Sequence, residues 1–140
     1  MSEALSIAVH AGEFDRVHYA LVMASAAAAS DRRTTLFFTG HAVWTVTRRS
    51  NNDPGWHQLH AAPDGAAARD ATLRARRVAG FEELLAACGE LGVRLIVCEM
   101  ALRAAGLDSS TGILRRDLKL EVAGVVTFLN QGTGGALMFV

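Results

Sequence analysis

The sequence predicts an α/β protein, a three-layer α/β/α sandwich built on a five-stranded, mainly parallel sheet. Three observations predict it. Short aliphatic runs alternate with segments of helical periodicity along the whole chain. The strand-like runs are apolar throughout instead of alternating with polar residues, as strands covered on both faces are. Right-handed crossovers between parallel strands then place helices against the sheet. A length of 140 residues fits one such domain.

Taken in order, residues 5–10 (LSIAVH) read as the first strand, ended by Ala-Gly. Asp15 is the expected N-cap of a helix over 16–30, where Val17, Leu21, Ala24 and Ala28 recur at helical spacing and alanine supplies propensity. Residues 34–39 (TTLFFT) form the second strand, and 42–49 read weakly as a helix. Residues 50–77 change character: Asn-Asn-Asp-Pro-Gly and Pro-Asp-Gly are turn chemistry, and the rest is rich in Ala and Arg. This is expected to be an irregular insertion. Its arginines Arg74, Arg76 and Arg77 read first as a solvated face, and second as a mobile lid offering positive charge to an anionic ligand.

Phe81, Leu84, Leu85, Cys88 and Leu91 make one apolar stripe on a helix over 81–91, so Cys88 is expected to be a buried, inert thiol. Gly92 ends it, and 93–98 (VRLIVC) is the third strand, running directly into a helix over 99–105 that Gly106 terminates. Residues 119–123 form a fourth strand, 125–130 a short helix and 136–140 the last strand.

Composition bounds the function. Hydrophobic residues make up 51% of the chain, and 14 basic residues balance 14 acidic ones. Neither disorder nor generic binding to nucleic acid or an anionic membrane fits that balance. The chain opens Met-Ser-Glu without a basic leader, and its longest apolar run, 19–29, is about half of the ~20 residues a spanning helix needs. A cytoplasmic location is expected, with Cys88 and Cys98 as separate thiols. The signatures of phosphate-binding loops, dinucleotide-binding turns, nucleophile elbows and C-x-x-C redox pairs are absent from the sequence. No cofactor is expected.

Ligands of open parallel sheets bind beyond the carboxyl ends of the strands, where strand order reverses. Those ends carry His10 and Gly12, Gly40 and His41, and Cys98 and Glu99. With the common order 2-1-3-4-5, Cys98 would face residues 10–12 across the reversal. A thiol leaving a strand into a helix has free backbone N–H groups to favour its thiolate. Glu99 works against that charge, and Arg103 at i+4 offsets part of it. Position alone leaves Cys98 open between a structural and a reactive thiol. His10, His41 and Cys98 are donor types zinc accepts, but no local spacing supports the set and no metal is expected.

Four segments carry a resemblance: IAVHAGEFDRVHYALVMA, TLFFTGHAV, FEELLAACGELGVRLIVCEMALRAAGL and EVAGVVTFLNQGTGGALMFV. Together they resemble the DsrE/DsrF-like family, small α/β/α proteins associated with intracellular sulfur relay. The most specific part is Cys98 followed by Met100 and Gly106. The resemblance implies that Cys98 carries sulfane sulfur as a persulfide; the strand-end residues His10, Gly12, Gly40, His41 and Glu99, with Met100, are the expected lining of its crevice. It also implies a homo-oligomer and protein donors and acceptors of sulfur. No second cysteine stands near Cys98 in sequence to resolve a disulfide, and the peroxiredoxin and rhodanese signatures are missing. Sulfurtransferase activity as a carrier is one reading; a non-catalytic ligand-binding or assembly module using the same crevice is the other. The apolar ending 136–140 and the Ala-rich first helix add the expectation of a dimer or trimer.

Overall fold

The computed structural model describes residues 3–48, 53–131 and 135–140. Five strands, β1 (Leu5–Val9), β2 (Thr34–Phe38), β3 (Arg94–Cys98), β4 (Leu120–Ala123) and β5 (Ala136–Phe139), form one all-parallel sheet. The chain is an α/β sandwich, as the apolar strands predict. The order is β4-β3-β2-β1-β5 and not 2-1-3-4-5. Both orders satisfy right-handed crossovers, so alternation alone does not choose between them. The reversal lies between β1 and β5, and β2 separates β1 from β3.

The register defines two faces. Ile7, Val9, Leu36, Phe38, Leu95 and Val97 share one, and all are buried. The crossovers that step from β1 through to β3 carry α1 (Phe14–Ala29) and α3 (Phe81–Glu90), which pack together on this face. Alanines 20, 24 and 27 face inward on α1 and let it approach closely, and the Cys88 thiol of α3 donates to the Leu21 carbonyl. The opposite face holds Phe37 and Ile96. The return from β4 to β5 crosses it as α5 (Val125–Gln131), whose buried Phe128 stacks on Phe37 with centroids 4.8 Å apart. Arg94 bonds both Glu121 and the α5 residue Gln131 on that side.

Helix α1 starts before Asp15. Glu13 is its N-cap, because the Phe14 N–H donates to the His60 carbonyl at 2.9 Å; Asp15 instead pairs with Arg69 at 3.0 Å. The weak helix after β2 is a 3-10 helix over Gly40–Val46.

The stretch expected to be irregular carries order. It contains a 3-10 turn (Gly55–Gln58) and α2 (Ala66–Ala75); its positions 50–52 lie outside the described residues. Trp56 is buried against Phe14 and Phe81 and donates its indole N–H to Glu82 at 2.6 Å. Asp70 is buried on α2, accepts the Phe81 N–H at 2.7 Å and so caps α3 from outside, while Arg74 bonds its other oxygen. Sequence patterning misses this cap because it comes from 11 residues away.

The chain between α4 (Glu99–Ala104) and β4 is tied down in turn. Arg48 donates to the Gly112 carbonyl, and Arg115 forks onto Glu82 with both bonds at 2.7 Å while also holding Asp117. No helix among the described residues is long and apolar enough to cross a membrane.

Candidate functional site

Cys98 ends β3 and is the N-cap residue of α4. Apolar β-branched and aliphatic residues build the strand up to it, and the chain turns at once because Glu99 and the residues after it are good helix formers. Its register partner is Ala123, and it shares a sheet face with Ile96 and Phe37, the face α5 covers. The first turn of α5 begins two residues after Ala123. The Cys98 residue is only 3% exposed. Its side chain makes no capping bond to the helix it precedes. The thiol is thus enclosed at the carboxyl edge of the sheet.

Glu99 and Met100 point outward on the first turn of α4, and Met100 is 66% exposed. Glu99 and Arg103 line an open groove with Leu102, Leu107 and Asp108 without forming an ion pair among the described residues. The turn after α4 is closed by Gly106 at φ 74°, where Leu107 N–H reaches back to the Leu102 carbonyl.

The other predicted residues form a second group at the ends of β1 and β2. Gly40, at φ 55°, lies so close to His10 that a Cβ there would come within 2.7 Å of the ring. A Cβ on Gly12 would meet the His41 side chain at 3.3 Å, a tight contact, whereas at Gly40 both the positive φ and the close approach call for glycine. The His41 Nε2–H donates to the Gln58 carbonyl at 3.0 Å, and its ring lies parallel to that of His60, with centroids 4.9 Å apart. His10 stacks on Phe139 at 5.8 Å, and its N–H and that of Ala11 donate to the Val140 carbonyl.

The strand order places β2, with Gly40 and His41 at its end, between the ends that carry His10 and Cys98. His10 and Gly12 face β5 across the reversal point, and Cys98 stands two strands away. Among the described residues no three His, Cys, Asp or Glu side chains are grouped to hold a metal, and His10, His41 and Cys98 are not one donor set. Two residues that sequence reasoning missed complete the histidine group. His60 lies in the stretch set aside as an excursion, and Phe139 becomes a neighbour of His10 only once β5 is known to flank β1.

The stretch read as a possible lid packs against the ends of β1 and β2: the His60 N–H donates to the Gly12 carbonyl at 2.9 Å, and α2 ties the start of α1 to the start of α3 through Arg69–Asp15 and Asp70–Phe81. Cys88 is fully buried, and burial pushes its thiol up to about 11. It is protonated and unreactive at neutral pH.

An all-parallel α/β sandwich with a cysteine at the end of a central strand is a class that hosts many chemistries. The match to protein families narrows it: the chain belongs to the DsrE/DsrF-like family, which matches residues 15–133. No curated protein matches the chain.

Proposed function

We propose that the protein is a cytoplasmic sulfur-relay carrier that holds sulfane sulfur on Cys98. Membership of a family generally linked to sulfur relay supports the reading. The single observation that carries it is the position of Cys98, the one thiol at the carboxyl edge of the sheet, where a parallel α/β sheet keeps its reacting groups.

In the loading step the Cys98 thiolate attacks the outer sulfur of a donor persulfide. One S–S bond forms, the donor's S–S bond breaks and the donor leaves as thiolate, with no net oxidation. In the unloading step an acceptor thiolate attacks the outer sulfur on Cys98 and releases the Cys98 thiolate. The two steps need no cofactor and no second cysteine. The enclosure of Cys98 gives the carrier its selectivity: small bulk thiols reach the stored sulfur slowly, and a partner that displaces the first turn of α5 reaches it fast. His10, Gly12, Gly40 and His41 then belong to the neighbouring end of the sheet, and Glu99 and Met100 to the rim a partner meets.

Mass spectrometry after incubation with polysulfide tests this. The expected product is one added sulfur atom on the Cys98 peptide, lost in Cys98→Ser and kept in Cys88→Ser. A folded protein that takes up no sulfur at Cys98 belongs instead to the class of binding or assembly modules.

A further inference from the structure

Arg115 and Arg116 are neighbours in the chain with different surroundings. The charge of Arg115 is matched by Glu82 and Asp117. Arg116 is exposed and, among the described residues, meets no carboxylate within 4.0 Å; half-buried Arg48 meets none either.

Two such guanidinium groups would be ordinary on a surface if they stood apart, but these converge. The position a Cβ would take on Gly112 lies 3.4 Å from Arg116 Nη2 and 3.6 Å from Arg48 Nη2. The two charges therefore stand within a Debye length of each other, about 8 Å at physiological ionic strength. Arg48 is held in place, since its Nε–H and Nη2–H both donate to the Gly112 carbonyl, at 3.2 and 2.7 Å. The segment is fixed by its backbone as well: Arg48 N–H donates to the Ile113 carbonyl at 2.7 Å and Arg115 N–H to the Val46 carbonyl at 2.9 Å. The acid of the same loop, Asp108, is turned onto the loop itself, where it accepts the Ser110 N–H and hydroxyl at 2.9 and 2.8 Å. Like charges fixed side by side repel, and an anion bonded to both offsets that repulsion. Glycine at 112 keeps the space between the two groups free of a side chain.

We propose that Arg48 and Arg116 bind a tetrahedral oxyanion of the phosphate type over Gly112. Such a group carries more than one negative charge at neutral pH and several acceptor oxygens, so it bonds both guanidinium groups at once. Arg48 uses one edge of its fork on the Gly112 carbonyl and has further N–H donors for the ligand. The site does not use Cys98, and it stands whether or not that thiol carries sulfur.

Calorimetric titration with inorganic phosphate, at ionic strength held constant with sodium chloride, tests it. Wild type is expected to bind one phosphate per chain. Arg116→Gln is expected to weaken binding about tenfold or more, the contribution of one charge-assisted bond. Arg48→Lys keeps the charge, loses the fork and is expected to weaken binding as well. Arg76→Gln removes an exposed charge on another segment and is expected to bind as wild type. All three variants are expected to keep the circular dichroism of wild type. Glycerol phosphate is the second ligand: tighter binding than phosphate assigns the site to the phosphoryl group of a small metabolite, and equal or weaker binding assigns it to the free ion. No saturable binding at constant ionic strength, unchanged affinity in Arg116→Gln or Arg48→Lys, or an equal loss in Arg76→Gln would overturn the proposal.

Discussion

Two cysteines of similar burial have different surroundings, and the difference is chemical. Cys88 lies within the α1–α3 contact, where its thiol is pushed up to about 11 by burial alone. Cys98 sits where a strand gives way to a helix, two residues before solvent-exposed Met100. Native alkylation at neutral pH should label Cys98 first, and Cys88 should react only as the chain unfolds; faster labelling of Cys88 in the folded protein would reverse their roles. Both positions were legible in the sequence, Cys88 from its apolar stripe and Cys98 from its place between strand and helix. Thr45 was not. Its hydroxyl is fully buried without a hydrogen-bond partner among the described residues, and short 3-10 helices leave no periodic trace from which to read its environment. An unpaired buried hydroxyl is destabilising by about 1–3 kcal/mol. Thr45→Val is therefore expected to leave the melting temperature unchanged or raise it, and a clear fall would mean that the hydroxyl has a partner in solution.

At the scale of elements, long-range ties decide what the sequence could not. Residues 50–77 read as an excursion because their anchors, Trp56 and Asp70, act on partners in α3, and a local window does not contain those partners. Arg115 does the same for the segment after α4. Burial pushes the Glu82 carboxyl up, but the bonds from Arg115 and Trp56 outweigh it and hold the group below its ordinary value; the bond from Arg115 holds Asp117 down as well. Carboxylates with depressed values contribute stability that is present above their unfolded pKa and lost as pH falls through the folded one. Arg115→Ala should thus destabilise the fold by about 1–2 kcal/mol at pH 7. The difference from wild type should shrink below about pH 4 as the carboxylates protonate. An equal penalty at pH 7 and pH 3 would show that Arg115 acts through packing alone. Helix ends, by contrast, were legible. Gly92 and Gly106 were read as stops, and both sit at positive φ, with Val93 and Leu107 reaching back to close the turn. A Cβ on Gly92 meets open space, so Gly92→Ala tests backbone strain alone and should cost about 1 kcal/mol in chemical denaturation.

For the whole molecule, the fold class followed from the alternation of apolar strands and helices, while the strand order did not. Order depends on which strands pair, and Phe37 stacking on Phe128 or His10 on Phe139 are contacts across more than ninety residues. That order sets histidines at the ends of β1 and β2 and the thiol at the end of the next strand, β3. It also placed β5 beside the histidines. The proposed passage of sulfur through Cys98 is open to test by a single-turnover transfer of an isotopically labelled sulfane sulfur. The protein is loaded from a labelled persulfide, freed of donor and mixed with a thiol acceptor. The account predicts that the label leaves Cys98 and arrives on the acceptor at matching rates, that Cys88→Ser behaves as wild type, and that Cys98→Ser transfers nothing. Transfer that persists in folded Cys98→Ser, or label that stays on Cys98 while the acceptor remains empty, would contradict it.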